Sequence, residues 1–250
     1  METIAGYRTY IELIRPLIVD QEIISTGMTR EIERAEAVLD AALAGKRCAI
    51  VSSGDAGIYA MAGLVLELCR LKGIAIHKPG TPAESRGGLL IEVVPGIPAL
   101  AAGAALLGAP LTHDFAAVSL SDLLTPWDTI ARRIEAAAAA DFVIVIYNPR
   151  SRRRKDNLDR ACDIILRHRP PQTPVGVVTG AMRANQRVAI ATLADLPDMH
   201  VDMQTTLFVG NGDTTVYRDF MITPRGYSDK YAVSGNALRT DADRNGLTVN

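Results

Sequence analysis

Short apolar runs alternate with stretches of helical periodicity along the first half of the chain. Strands are predicted at residues 23–24, 48–51 and 91–94, and helices at residues 31–44, 58–72 and 97–107. Each helix ends just before a glycine, a residue that is common at the first position beyond a helix. The order strand, helix, strand, helix is typical of a parallel sheet covered by helices, which predicts an α/β domain.

The second half of the chain predicts a mixed α/β domain. Strands are predicted at residues 116–120, 142–147, 175–178, 188–192 and 206–209. Helices are predicted at residues 125–140 and 156–168. In the first of these, Thr125 is expected to be the N-cap, Pro126 the first helical residue and Asp128 the capping-box partner. Since no helix is predicted between the last two strands, the sheet is expected to be mixed.

The turn at residues 108–110 is the predicted domain boundary. It gives an N-terminal α/β domain over residues 1–109 and a C-terminal mixed α/β domain over residues 110–227. Residues 228–250 are polar and show no periodicity, so they are predicted to be a poorly packed tail.

Composition and charge fit an ordinary globular protein. The chain has 250 residues, 48% of them apolar and 22% charged, with a net charge of −1. The near-neutral charge argues against nucleic-acid binding. No apolar run approaches the roughly 18 residues of a membrane span. The first residues show no signal-peptide pattern, so a cytoplasmic location is expected.

The cysteines do not predict a disulfide framework or a metal site. Cys48, Cys69 and Cys162 are far apart in the sequence and form no Cys-x-x-Cys pair. They are interpreted as small buried apolar residues. No metal is expected.

Four predicted strands end in loops that could hold a ligand. The loops lie at residues 52–57, 95–98, 148–149 and 179–181 and are rich in small or turn-forming residues. In parallel sheets, ligands bind beyond the carboxyl ends of the strands. The chain has neither a Gly-x-Gly-x-x-Gly motif nor a Walker A motif. A neutral nucleoside contacted by backbone groups therefore suits these loops better than a dinucleotide or a nucleoside triphosphate.

These loops resemble the ligand-binding loops of the tetrapyrrole methylases. The matching segments are residues 53–59 (SGDAGIY), 93–97 (VVPGI), 147–149 (YNP) and 174–178 (PVGVV). Further segments resemble the branch of that family that methylates precorrin-3B at C-17. They are residues 6–10 (GYRTY), 25–28 (STGM), 107–115 (LGAPLTHDF), 119–127 (SLSDLLTPW) and 223–227 (TPRGY).

The resemblance implies two α/β domains that bind S-adenosylmethionine between them, usually in a homodimer. It implies methylation of C-17 with ring contraction in cobalamin biosynthesis, with a corrin precursor as the substrate and with neither nucleic acid nor membrane as a partner. A later strand end is expected to add Gly210 and Thr214 to the pocket. The implied cofactor contacts are then Ser53, Gly54, Asp55, Ile58, Pro98, Ala99, Asn148, Ala181, Gly210 and Thr214.

Ring contraction moves protons, so it requires an acid or a base. The candidates are His113, Asp114, Ser121 and Asp122, which flank one predicted strand. The alternative for Ser121 and Asp122 is a role in turn formation or capping. The alternative for His113 is a structural histidine.

A basic run at residues 150–155 opens a predicted helix, where positive charge opposes the helix dipole. Arginine pairs with carboxylates through two parallel hydrogen bonds. Arg150 and Arg152 are therefore predicted to bind the carboxylates of the substrate.

The chain departs from the family pattern in two places. The first strand of the family and its Gly-x-Gly-Pro-Gly-Asp loop are not found, and Pro98 stands where the family often has serine or threonine. These departures leave open a non-catalytic homologue that binds tetrapyrrole. A 2′-O-methyltransferase of RNA is a third reading, which the near-neutral charge disfavours. The lack of a cobalt-ligand cluster weakly favours a metal-free substrate over its cobalt-containing counterpart.

Overall fold

A computed structural model describes residues 1–85, 87–151, 156–234 and 237–240. The helices are α1 (Arg8–Leu13), α2 (Glu31–Leu43), α3 (Met61–Leu71), α4 (Ala99–Leu107), α5 (Trp127–Ala139), α6 (Asn157–Ile165) and α7 (Tyr227–Lys230). The strands of the first unit are β1 (Thr3–Tyr7), β2 (Glu22–Thr26), β3 (Cys48–Val51), β4 (Ile76–His77) and β5 (Leu89–Leu90). Those of the second are β6 (Gly108–Ala109), β7 (Phe115–Ser119), β8 (Val143–Tyr147), β9 (Pro174–Thr179), β10 (Arg187–Thr192), β11 (Thr205–Val209), β12 (Thr215–Tyr217), β13 (Phe220–Ile222), β14 (Tyr231–Ser234) and β15 (Ala237–Thr240).

The chain divides into two compact units, Met1–Pro98 and Ala99–Asn250. In the first unit, β1 lies between β2 and β3, and both pairings are parallel. Its core lies between α2 and α3, whose buried side chains recur at helical spacing. The parallel sheet predicted for the N-terminal half is confirmed.

The predicted strand at residues 91–94 is wrong. Residues 91–98 form neither helix nor strand, and the short strand β5 pairs instead with β4. Val93 and Val94 are 45% and 67% exposed. A strand needs a neighbouring strand for its backbone hydrogen bonds. In the described part of the chain, β3 pairs with β1 alone, so residues 91–94 do not extend this sheet beside β3.

The second unit is built on a mixed sheet, as predicted. Its strand order is β10-β9-β11-β8-β7, in which β7 and β8 are parallel and the other neighbours are antiparallel. The four apolar residues of β8 from Val143 to Ile146 are all buried, because helices cover both faces of this strand. Helices α5 and α6 pack on one face, and α4 packs on the other.

Helix α4 belongs to the second unit, so the division of the chain falls before this helix rather than after Ala109. Leu107 of α4 joins Val145, Val178 and Phe208 in one buried cluster. Gly103 allows a close approach, since a Cβ at this position would lie 2.6 Å from the Phe208 ring. A helix that is apolar along most of its surface gains stability by burying that surface on the larger sheet.

The predicted capping box is wrong. Helix α5 begins at Trp127 with Pro126 as N-cap, and no described side chain caps it, so Thr125 and Asp128 do not form a capping box. Arg160 lies over the Trp127 ring, 4.1 Å from its centroid, and holds the start of the helix instead. Within residues 227–240, at the start of the predicted tail, the chain forms α7 and the antiparallel pair β14–β15. The rest of the predicted tail, residues 241–250, lies outside the described residues.

Two of the three cysteines, Cys69 and Cys162, are buried as predicted, and Cys48 is half-buried. Burial raises the pKa of the Cys162 thiol to about 12. No helix in the described part of the chain combines the length and the apolar character that crossing a membrane requires.

Candidate functional site

In the first unit, Asp55 ties two strand-end loops together. One carboxylate oxygen accepts the Gly57 N–H at 2.8 Å, and the other accepts the Gly96 N–H at 2.9 Å. The hydrogen bonds from Gly96 and Gly57 lower the pKa of Asp55 below its ordinary value, because they stabilise the charged form. The loop after β3 and the segment before Pro98 are therefore held in one arrangement, as sites that bind ligands through backbone atoms require.

Gly54 and Gly96 let these two loops approach closely. Gly54 has a left-handed φ of +78°, which favours glycine. A Cβ at Gly96 would lie 2.0 Å from the carbonyl oxygen of Gly54, so no side chain fits there. Ser53 lies beside this contact, and Ile58 is 37% exposed just beyond it. The first unit thus holds the predicted residues Ser53, Gly54, Asp55 and Ile58 on one loop, with Pro98 following Gly96 closely in sequence.

In the second unit, Tyr147 anchors the start of α4. Its hydroxyl oxygen accepts the Leu100 N–H at 2.9 Å, which satisfies one of the first free amides of that helix. Ala99 therefore lies near the carboxyl end of β8, where Asn148 follows with a left-handed φ of +51°. Asparagine tolerates this conformation better than most residues.

The loop that holds Ala181 lies at the same edge of the sheet. Strand β11 is antiparallel to both β8 and β9, so β8 and β9 run in the same direction and end at the same edge. We call this the carboxyl edge, formed by the ends of β7, β8 and β9. Gly180 turns the chain there with a φ of +59°, and Ala181 packs on the same apolar cluster as Tyr147 and Leu100. Ala99, Asn148 and Ala181 thus all lie near the carboxyl edge.

The prediction that Gly210 and Thr214 join this pocket is wrong. They follow β11, whose antiparallel direction places its carboxyl end at the opposite edge of the sheet. There, the Gly210 N–H donates to the Pro174 carbonyl at 2.9 Å. Thr214 is buried in a polar cluster with Asn211 and Thr223. These residues therefore pack at the edge of the second sheet that lies opposite the carboxyl edge.

His113 and Asp114 also lie at that opposite edge, which contradicts a catalytic role beside Ser121 and Asp122. They precede β7, whereas Ser121 and Asp122 follow it, and a strand of five residues spans roughly 15 Å. His113 Nδ1 accepts the Asp114 N–H at 2.8 Å, and the Asp114 carbonyl accepts the Val143 N–H at 3.1 Å. His113 thus accepts a hydrogen bond from the backbone of the next residue, in the turn before β7.

Ser121 and Asp122 lie at the carboxyl edge, beside a serine that the sequence analysis did not select. The Ser119 hydroxyl oxygen accepts the Ser121 N–H at 3.2 Å and the Asn148 side-chain N–H at 3.0 Å. Ser119 therefore links the loop after β7 to the loop after β8. The position of Ser119 at the end of a predicted strand was the available signal.

Arg150 has a structural role that contradicts its predicted contact with substrate carboxylates. Its guanidinium pairs with Asp159 of α6 and donates to the Pro197 carbonyl at 2.8 Å. The side chain is only 24% exposed. Its hydrogen-bonding capacity is directed into the protein, so it fastens the loop after β8 to α6. Arg152, the other predicted carboxylate ligand, lies outside the described residues.

Replacing Arg150 with alanine is expected to lower stability and to leave ligand affinity nearly unchanged. The substitution removes a partly buried ion pair and a hydrogen bond to a carbonyl, at a cost of about 1–2 kcal/mol in the free energy of unfolding. Urea unfolding of the Arg150→Ala variant measures this effect, with Arg167→Ala, an exposed pair on the same unit, as the control. A large loss of substrate affinity with unchanged stability would contradict the structural role.

Within the described residues, no group of three or more histidine, cysteine, aspartate or glutamate side chains is placed to hold a metal ion. The fold defines a protein with two α/β units. The model of the tetrapyrrole (corrin/porphyrin) methylases matches residues 2–197, and the chain belongs to that family.

Relatives of this chain come from the cobalamin pathway. A probable cobalt-factor III C(17)-methyltransferase from Salmonella typhimurium is 48% identical over 91% of this chain and 89% of its own length. The cobalt-factor III methyltransferase of Priestia megaterium is also 48% identical, and the match covers 93% of this chain but only 42% of that protein. Among solved structures, the methyltransferase CobJ is 33% identical with a TM-score of 0.79, covering 89% of this chain and 88% of that one.

Proposed function

We propose that this chain transfers a methyl group from S-adenosylmethionine to C-17 of a corrin precursor, with ring contraction, in cobalamin biosynthesis. The observation that carries the proposal is the pair of rigid loops joined by Asp55, in a chain 48% identical to a C(17)-methyltransferase over nearly its whole length. Ala99, Asn148 and Ala181, the small residues at the carboxyl edge of the second sheet, support the same function.

The residues present fit S-adenosylmethionine. The nucleoside part of this cofactor needs backbone amides and carbonyls that can approach closely, and the contact between Gly54 and Gly96 leaves no room for a side chain between these two loops. The proposed cofactor contacts are Ser53, Gly54 and Ile58 in the first unit and Ala99, Asn148 and Ala181 in the second. Asp55 is a positioning residue, because both of its carboxylate oxygens are engaged by backbone amides.

When bound, S-adenosylmethionine supplies a methyl group that is already electrophilic. The contribution of this chain is to bind and orient the two reactants, which can provide a large part of the reduction in barrier. Asp55 fixes the loops of the first unit. Tyr147 fixes the start of α4, and Ser119 fixes Asn148.

Ring contraction also moves protons, and the candidates that remain are Ser121 and Asp122. Both follow β7 at the carboxyl edge, on the loop that Ser119 links to Asn148. Asp122 is exposed, so its carboxylate is accessible to a substrate. Ser121 and the Ser119 hydroxyl would orient the substrate beside it.

The form of the substrate is proposed to be cobalt-factor III rather than the metal-free precorrin. Two relatives named for the cobalt form are each 48% identical to this chain, over 93% and 91% of its length. This reverses the weak preference for the metal-free form that the lack of a cobalt-ligand cluster suggested. A cobalt ion would arrive as part of the substrate and would require no binding site of its own.

The proposal includes a cytoplasmic homodimer. A cytoplasmic location suits a reaction whose methyl donor is an intracellular metabolite. Exposed Val216, Tyr217 and Phe220 on β12 and β13 offer apolar surface for a second copy.

Binding of S-adenosylhomocysteine, measured by calorimetry, tests the cofactor assignment. A one-to-one complex in the micromolar range or tighter is the expected result. Lack of binding by a folded sample, checked by circular dichroism, would contradict it. Porphyrin or corrin binding without S-adenosylhomocysteine binding would favour the non-catalytic alternative.

A further inference from the structure

The carboxyl edge of the second sheet presents three large apolar side chains to solvent. Leu123 and Leu124 are 73% and 97% exposed, and Met182 is 66% exposed. The two leucines follow β7, and Met182 follows β9. Between them in the sheet lies the end of β8, with Ser119 and Asn148 hydrogen-bonded to each other.

Single exposed leucines are ordinary on protein surfaces. Leu123 and Leu124 differ because the loop that carries them is anchored at both ends. The loop after β7 is fixed at its start, because the Leu120 N–H donates to the Tyr147 carbonyl at 2.9 Å and buried Asn157 donates to the Leu120 carbonyl at 3.1 Å. It is fixed at its end by Trp127, which packs on the core beneath Arg160. The loop thus displays two leucines from a rigid base.

Met182 is held in a conformation that costs free energy. Its φ of +59° is left-handed, a region that residues without a short polar side chain rarely adopt. The turn around it is fixed, since its N–H donates to the Gln186 side chain at 2.8 Å and the Arg183 N–H donates to the Gly180 carbonyl at 2.9 Å. Strain that the surrounding structure maintains is typical of ligand-binding positions.

We propose that Leu123, Leu124 and Met182 form an apolar platform for the face of the tetrapyrrole macrocycle, and this rests on the proposed function. The sheet order places the loops of Leu124 and Met182 about three strand spacings apart, roughly 14 Å, which suits a flat macrocycle with its acid side chains. The polar pair of Ser119 and Asn148 lies between them. Ligand sites commonly combine such apolar walls with a few placed polar groups.

The occupant is taken to be the substrate rather than the cofactor because of the shape and size of the surface. The residues that fit the cofactor are small, as Ala99 and Ala181 are, and they allow a close approach of backbone atoms. The platform residues are large and project outward. A wide apolar face is the feature that distinguishes the macrocycle from a nucleoside.

The test compares two affinities in the same variants. Fluorescence quenching reports binding of uroporphyrin III, a stable tetrapyrrole, and calorimetry reports binding of S-adenosylhomocysteine. Leu124→Asp and the double variant Leu123→Ala with Leu124→Ala are each expected to weaken tetrapyrrole binding by about tenfold or more, since they remove apolar surface from the contact. Binding of S-adenosylhomocysteine is expected to stay within about twofold. The matched control is Leu17→Ala, whose leucine is 76% exposed in the first unit.

The possible results distinguish a failure of the platform proposal from a failure of the proposed function. Tetrapyrrole affinity that is equal in the original chain and in both variants would overturn the platform and leave the proposed function standing. If the original chain binds S-adenosylhomocysteine but no tetrapyrrole, the substrate assignment fails and the platform fails with it. Because the altered side chains are exposed, the variants are expected to keep the unfolding temperature of the original chain, and either variant alone decides the question.

Discussion

Replacing Gly96 with alanine is expected to abolish measurable binding of S-adenosylhomocysteine. The added Cβ would lie 2.0 Å from the Gly54 carbonyl oxygen, a distance that real contacts never show, so the two loops must separate. Separation would also break the Asp55 hydrogen bond to the Gly96 N–H. Forcing an extra methyl group into a filled space typically costs about 1–3 kcal/mol in the free energy of unfolding. Calorimetry and urea unfolding measure the two effects.

Gly63→Ala is the matched control for this substitution. Gly63 lies in α3 of the same unit, and a Cβ there would meet nothing within 4 Å. Alanine in a helix is more stable than glycine by about 0.5–1 kcal/mol, so the control is expected to bind S-adenosylhomocysteine normally and to unfold at slightly higher urea. Normal binding by Gly96→Ala would show that the contact between the loops does not form part of the cofactor site.

Replacing Asp55 with alanine is expected to weaken S-adenosylhomocysteine binding by about tenfold or more. The substitution removes the acceptor of two charge-assisted hydrogen bonds, one of which, from the Gly96 N–H, joins the two loops. Asp55→Asn should have an intermediate effect, because its amide oxygen can still accept one of the two amides. Asp20→Asn, at an exposed position of the same unit, should leave the affinity unchanged.

The pH dependence of binding follows from the lowered pKa of Asp55. A carboxyl group whose pKa is lowered in the folded protein contributes stability above its ordinary pKa, and this contribution is lost as the pH falls through the lowered value. Between neutral pH and the ordinary pKa range of carboxyl groups, Asp55 stays charged, so cofactor affinity is expected not to change through this residue. The affinity is expected to fall only when the pH drops below that range. The Asp55→Asn variant should lack this acidic loss. A steep decrease near pH 6 that Asp55→Asn removes would contradict the assignment.

Local patterns in the sequence were sufficient to predict several elements that carry the proposed cofactor contacts. The apolar run before Asn148 predicted β8, and helical spacing with a terminal glycine predicted α2 and α3. The loop with Asp55 was predicted as a cofactor contact, whereas the structure gives its carboxylate a positioning role. That role depends on Gly96, which is 41 residues further along the chain, and no local pattern reports such a contact.

Strand direction explains the site residues that were predicted wrongly. Gly210 and Thr214 follow a strand, as the other loop residues do, but β11 runs antiparallel to its neighbours. The sequence indicated a mixed sheet without indicating which strand was reversed. His113 and Arg150 failed for a different reason, since their partners, the Asp114 amide and Asp159, could be identified only from the folded chain.

Transfer of a labelled methyl group tests the central claim most directly. The chain would be incubated with S-adenosylmethionine labelled in its methyl group and with cobalt-factor III or precorrin-3B, and the product would be examined by mass spectrometry and nuclear magnetic resonance. We expect one labelled methyl group per corrin, located at C-17 of a contracted ring, with faster turnover of the cobalt form. A folded chain that binds S-adenosylhomocysteine but transfers no label to either precursor would contradict it.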